Sequence, residues 1–148
     1  MNPLLQREIS TLEQTAELGA EFLDMIQWPA MIYLHGDLGA GKTTLCQAIV
    51  RAAGYTEAVT SPTYNLIHEY PIPESNRTIY HLDLYRLNDP EELYYLGVAD
   101  LWAEQTLFLV EWPEKGKGIL QKPDYLIEIS KKSGQTEEIR EFSICHTF

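Results

Sequence analysis

Gly36-Asp37-Leu38-Gly39-Ala40-Gly41-Lys42-Thr43 is the stretch on which the reading of this chain turns. It fits G-x-x-x-x-G-K-[ST], a loop whose backbone N–H groups cradle phosphate oxygens. The apolar run Met31-Ile32-Tyr33-Leu34-His35 before it reads as a buried strand. Thr44 to Ala53 reads as a helix, with Leu45, Ala48, Ile49 and Ala52 on one side. A strand feeding a glycine-rich turn that opens a helix gathers N–H groups into one concavity, and the helix N-terminus adds its positive dipole end. Lys42 is then placed to reach the β- and γ-phosphates, the Thr43 hydroxyl to ligate Mg²⁺, and Thr44 to touch the α-phosphate.

Length and charge bound what such a site can serve. The 148 residues predict a single domain, residues 1–148, with one substantial core. A net charge of −11 leaves no broad basic face for nucleic-acid phosphates, so any RNA is expected to be held by a partner. Cys46 and Cys145 make no metal or disulfide framework, and Cys46 on the helix after the loop reads as a small buried residue. No basic-then-apolar leader and no run of 18 apolar residues is present, so a cytoplasmic location is expected, with neither membrane nor DNA as partner.

Outward from the loop, Ser10 to Ile26 reads as a first helix, capped by a Ser10–Glu13 box, with Leu12, Ala16, Gly19, Leu23 and Ile26 as its apolar stripe. Pro29 ends it. Thr60-Ser61-Pro62-Thr63 sits after the loop helix, where a switch segment would report the γ-phosphate; a plain turn is the competing reading. Tyr64 to Tyr70 and Thr78 to Tyr85 read as an antiparallel pair around Pro71 to Asn76. Alternation puts His81, Asp83 and Tyr85 on one face, where Asp83 can hold Mg²⁺ through water or activate a nucleophile, unless it only pairs with Arg86.

Asp89 with Glu92, and Pro90 in the first turn, open a further helix that Gly97 ends. Thr106-Leu107-Phe108-Leu109-Val110-Glu111 is a buried strand delivering a carboxylate, as beside the phosphates of nucleoside triphosphatases. A buried carboxylate is costly unless paired or metal-bound, which points Glu111 at Mg²⁺ or at positioning a water. Trp112 either packs or shields the site. Lys115 to Gly118 reads as a mobile basic loop, and Asp124 to Ser130 and Ile139 to Ile144 as strands joined at Ser133-Gly134. No N-K-x-D guanine-reading motif, arginine-rich lid or ABC-type signature occurs, which favours ATP over GTP and leaves little room for a second substrate.

Five ordered motifs now carry a resemblance: Gly36 to Thr44, Ser61-Pro62-Thr63-Tyr64, His81 to Arg86, Asp89-Pro90-Glu91-Glu92 and Leu109-Val110-Glu111-Trp112-Pro113. Across roughly residues 10 to 130 the chain resembles the TsaE (YjeE) family, bacterial ATPases of tRNA threonylcarbamoyladenosine synthesis. The resemblance implies a P-loop α/β three-layer sandwich with a mixed, partly antiparallel central sheet. It implies ATP and Mg²⁺ as cofactors and a TsaB–TsaD heterodimer as partner. The role it implies is ATP hydrolysis that sustains turnover after threonylcarbamoylation of adenosine 37 in tRNAs reading codons that begin with A, the tRNA being met only through the partners.

By motif, Gly36, Asp37, Leu38, Gly39, Ala40, Gly41, Lys42, Thr43 and Thr44 would bind the nucleotide, Thr43 and Glu111 would hold Mg²⁺, and Lys42, Asp83 and Glu111 would carry the chemistry. Thr63 would serve the switch, Trp112 would lie near the nucleotide, and Thr11 to Glu13 would approach the adenine. The chain departs from the family where a Gly-Arg pair is usual, having Gly134-Gln135. A small P-loop kinase, or a nucleotide-gated scaffold without needed hydrolysis, are the other readings.

Overall fold

The computed structural model describes residues 3–59, 65–132 and 138–147. Seven strands form one sheet, β1 (Leu5–Ile9), β2 (Ala30–His35), β3 (Ile67–Pro71), β4 (Thr78–Asp83), β5 (Thr106–Glu111), β6 (Tyr125–Lys131) and β7 (Arg140–His146). Their order across the sheet is β1-β7-β6-β2-β5-β4-β3. The centre is parallel, β2 lying between β5 and β6 with β4 beyond β5. Both margins are antiparallel hairpin-like pairs, β3 with β4 on one side and β6, β7 and β1 on the other. The expected mixed P-loop sheet is thus the observed one.

Helices α1 (Leu12–Met25) and α2 (Lys42–Ala52) cover one face, and α3 (Glu91–Tyr95) with 3-10 turns at Val98–Leu101 and Pro113–Gly116 covers the other. The period of two in each strand sorts the core accordingly. Ile32 and Leu34 of β2, Ile79 of β4, and Leu107 and Leu109 of β5 meet Phe22, Leu45 and Ile49 under α1 and α2. Met31, Tyr80, Leu82, Phe108 and Val110 meet Leu93 and Val98 on the far side. No helix among the described residues is long and apolar enough to cross a membrane.

Several sequence expectations shift. The first helix is capped by Thr11 with Gln14, not Ser10 with Glu13: Gln14 N donates to Thr11 Oγ1 (3.1 Å) and the Gln14 amide oxygen accepts from Thr11 N. Two overlapping capping-box patterns stand one residue apart, and packing selects the second. Its buried stripe is Thr15, Leu18, Gly19 and Phe22, leaving Leu12 76% exposed and Ala16 exposed. Strand β1 escapes the sequence pattern because only Leu5 and Ile9 are buried; as an edge strand it exists through pairing with β7.

α2 begins at Lys42, two residues before the expected start. β3 begins at Ile67 and β4 ends at Asp83, so Tyr85 leaves the strand. The expected Asp89–Glu92 box is absent: Asp89 Oδ1 accepts from Glu91 N (3.0 Å), and α3 lasts only five residues. The presumed mobile loop at Lys115 to Gly118 instead starts inside the 3-10 turn, where Gly116 is buried against Leu93 and Leu120. The turn at Thr60 to Thr63, Tyr64, and the junction at Ser133-Gly134 with Gln135 lie outside the described residues.

Gly19 is where α1 and α2 meet backbone to backbone. A Cβ there would sit 3.0 Å from the carbonyl carbon and the Cβ of Ala48. Gly19→Leu is therefore expected to cost about 2 kcal/mol by overpacking, beyond any gain in helix propensity. Urea unfolding checks this, with Ala16→Leu on the solvent side as the control that should stay near wild type.

Candidate functional site

The loop leaving β2 is shaped by its glycines. Gly41 takes φ +110, a left-handed conformation costly for any other residue, and its carbonyl begins the α2 ladder by accepting from Leu45 N. Gly36 runs so close to β6 that a Cβ would lie 2.8 Å from the Ile129 carbonyl oxygen. Lys42, the first residue of α2, is buried. Its Nζ donates to the Gly36 carbonyl (2.6 Å) and stands 3.6 Å from the centroid of the Trp112 ring. Burial pushes the Lys42 ammonium pKa down, while Glu111, Asp83, Glu114 and Asp37 push it back up.

The pleat that sorts the core also delivers the acids. Glu111 continues the Leu107–Leu109 face of β5, and His81 and Asp83 continue the Ile79 face of β4, so all three point toward α2. Register sets Asp83 beside Glu111. Glu111 is 3% exposed, yet it is satisfied. The Thr43 hydroxyl lies 2.9 Å from both of its carboxylate oxygens, and His81 Nε2 lies 2.6 Å from Oε2. An ionised carboxylate only accepts, so Nε2 carries the proton and donates. Asp83 Oδ1 accepts from Tyr85 N (3.1 Å), and burial raises the Asp83 carboxyl above the usual range.

Trp112 closes this end of the site. It adopts φ +57, a strained conformation for an aromatic residue, as it turns from β5 into the 3-10 helix. Its ring lies 5.0 Å from that of Tyr85, centroid to centroid. With the loop, Asp83, Glu111, Arg86 and Arg140 it lines a cleft of 650 Å³, a size suited to a nucleotide. Thr43, Glu111 and Asp83 offer a hydroxyl and two carboxylates, oxygens of the kind Mg²⁺ prefers, and His81 and Cys46 stand beside Glu111. Burial holds the neighbouring Cys46 thiol well above its ordinary pKa.

Of the residues expected from the sequence, Leu38, Gly39, Gly41, Lys42, Thr43, Thr44, Asp83, Glu111 and Trp112 line this one cleft. Gly36, Asp37 and Ala40 shape the loop from beneath, Ala40 N donating to the Asp37 carbonyl (3.0 Å). Thr11 lines a smaller adjoining cavity of 180 Å³ with Leu12, Thr15 and Phe142; Glu13 is exposed and lines neither cavity. Thr63 lies outside the described residues. The sequence assigned no role to His81 or Arg140. Its alternation with Asp83 already placed His81 on the right face; Arg140 carries no local signal, since the Gly39 carbonyl it binds lies 101 residues away.

Comparison with known proteins bears on the family and the fold. Residues 9–141 match the family model described as threonylcarbamoyl adenosine biosynthesis protein TsaE. A protein of Haemophilus influenzae named tRNA threonylcarbamoyladenosine biosynthesis protein TsaE is 50% identical over 99 residues; the match spans 67% of this chain and 61% of the relative's length. A protein of the same name from Rickettsia bellii is 38% identical over 128 residues, covering 86% of this chain and 85% of the relative. The crystal structure of Bacillus subtilus YdiB superposes with a TM-score of 0.63 at 25% identity, covering 94% of this chain and 84% of that one.

Proposed function

Because the chain belongs to the TsaE family of threonylcarbamoyladenosine biosynthesis proteins, we propose that it binds ATP with Mg²⁺ in the 650 Å³ cleft and hydrolyses it. That hydrolysis sustains threonylcarbamoylation of adenosine 37 in tRNA by a TsaB–TsaD heterodimer. The observation that carries this reading is Glu111: a buried carboxylate held by the Thr43 hydroxyl and His81, at the foot of a phosphate-binding loop.

Each side chain then has a task. Loop N–H groups and Lys42, whose Nζ stands at the Gly36 carbonyl, hold the phosphate chain. Thr43 and Glu111 would hold Mg²⁺, which when bound would neutralise phosphate charge. His81 would keep the Glu111 carboxylate oriented. Asp83, its basicity raised by burial, accepts a proton from the attacking water or orients it. Trp112 shields the ammonium side of the cleft from solvent. With a net charge of −11, the chain meets tRNA only through its partners.

The isolated chain is expected to hydrolyse ATP slowly, because groups supplied in trans accelerate comparable sites by about 10³–10⁵. Phosphate release, measured alone and with TsaB–TsaD plus tRNA, checks this. Stimulation of at least about tenfold is expected on that scale. Absence of both nucleotide binding and stimulation would overturn the reading. Full tRNA modification without any hydrolysis would leave a nucleotide-gated scaffold in its place.

A further inference from the structure

Arg140 opens β7 and leans across the phosphate-binding loop. Its guanidinium donates to the Gly39 carbonyl (3.0 Å) and to Glu138 Oε2 (3.3 Å). Its Cδ would be 3.6 Å from a Cβ on Gly41, so the arginine stem lies in van der Waals reach of the loop there. Its Nε is buried and has no hydrogen-bond partner among the described residues. A buried cationic N–H left unpaired is costly and calls for an acceptor.

The location says which acceptor fits. Three residues, Gly41, Thr44 and Arg140, line both the 650 Å³ cleft and the smaller cavity beside Thr11. They mark the junction between the end carrying the metal-type acids and the end away from them. Lys42, the buried cation of the cleft, is drawn toward Glu111 and Trp112. The junction therefore has its own positive charge, in a chain with twice as many acidic as basic residues.

We propose that Arg140 is a nucleotide-binding residue, whose guanidinium takes the phosphates common to ATP and ADP where the phosphate cleft meets the Thr11 cavity. This rests on the nucleotide reading above and adds the group that anchors the inner end of the phosphate chain. Charge-assisted hydrogen bonds from a guanidinium to phosphate are strong and geometry-dependent, so lysine is a poor substitute. The loss should be shared by ATP and ADP, since a residue at the junction does not sense the terminal phosphate.

Calorimetric titration of the full chain with Mg·ATP, Mg·ADP and adenosine tests this. For Arg140→Ala the dissociation constants of ATP and ADP are expected to rise about 10- to 100-fold, in parallel, with adenosine unaffected. Arg140→Lys keeps the charge without the planar fork and is expected to lose at least several-fold. Thermal melting of both variants reports folding, and the lysine variant carries the test should the alanine variant melt early. Wild-type ADP affinity in both variants would show Arg140 to be only a strap on Gly39, with the nucleotide site intact. A loss confined to ATP would place it on the terminal phosphate and overturn the assignment. Failure of the wild-type chain to bind ATP or ADP would remove this inference and the nucleotide reading together.

Discussion

Glu111→Gln is expected to lower ATP turnover at least about 100-fold while leaving ADP affinity within a few-fold of wild type. In the proposed site the charge of Glu111 would help to hold Mg²⁺, and a neutral amide of the same shape removes it. The fold should survive. Glutamine still offers one acceptor oxygen to the two donors that face it, the Thr43 hydroxyl and His81 Nε2–H. The Thr43 hydroxyl can rotate to accept from the amide, which leaves the amide oxygen to accept from His81 Nε2–H. Losing one of two adjacent negative charges also relieves Asp83, whose carboxyl Glu111 helps to push up. A melting temperature at or slightly above wild type is expected. Phosphate release under saturating ATP, with and without TsaB–TsaD, is the measurement; turnover within about threefold of wild type would remove Glu111 from the chemistry.

Lys42→Ala should show the opposite division. Here nucleotide binding itself is expected to weaken about 100-fold, because phosphate loses its buried cation and charge-assisted hydrogen bonds are the strong ones. Stability should change little. Burial acts against the charged form of Lys42, four carboxylates act for it, and removing the side chain removes both effects. A melting temperature within about 4 °C of wild type corresponds to about 1 kcal/mol for a chain of this size. The same variant tests how the loop is held. The ammonium stands over Trp112, so phosphate bound at Lys42 is expected to alter the field at the indole. Indole emission should then change on titration with ADP. Trp28 and Trp102 pack elsewhere, against Arg77 and Phe108, so Trp112→Phe should abolish the signal. Tight ADP binding by Lys42→Ala would sink this account of the loop.

The two expectations draw on different levels of information. Gly36 to Thr43 is legible as a phosphate loop because its requirements are local: positive φ, absent Cβ atoms, and a strand and helix of recognisable pattern on either side. The β5 stretch ending in Glu111 is legible for the same reason, as an apolar run of strand length with one acid at its tip. Short motifs in fixed order likewise sufficed to suggest the family to which residues 9–141 are matched. Capping was legible only to within a residue, since Ser10–Glu13 and Thr11–Gln14 satisfy the same local chemistry. Burial of Leu18 and Phe22 against α2 and β6, not propensity, set the register.

By itself, then, the sequence determined the loop, the strand that feeds it, the helix that follows, and the acids on offer. These rest on interactions between residues a few positions apart. Only the tertiary structure decided that β4 lies parallel to β5 in a register that brings His81 onto Glu111, and that Arg140 reaches Gly39. It also decided that Leu5 to Ile9 is a strand at all. Those contacts join residues 30 to 139 positions apart, and no local pattern encodes them. They follow from which strands pair and how the pleats align, which is settled when the whole sheet buries its two faces.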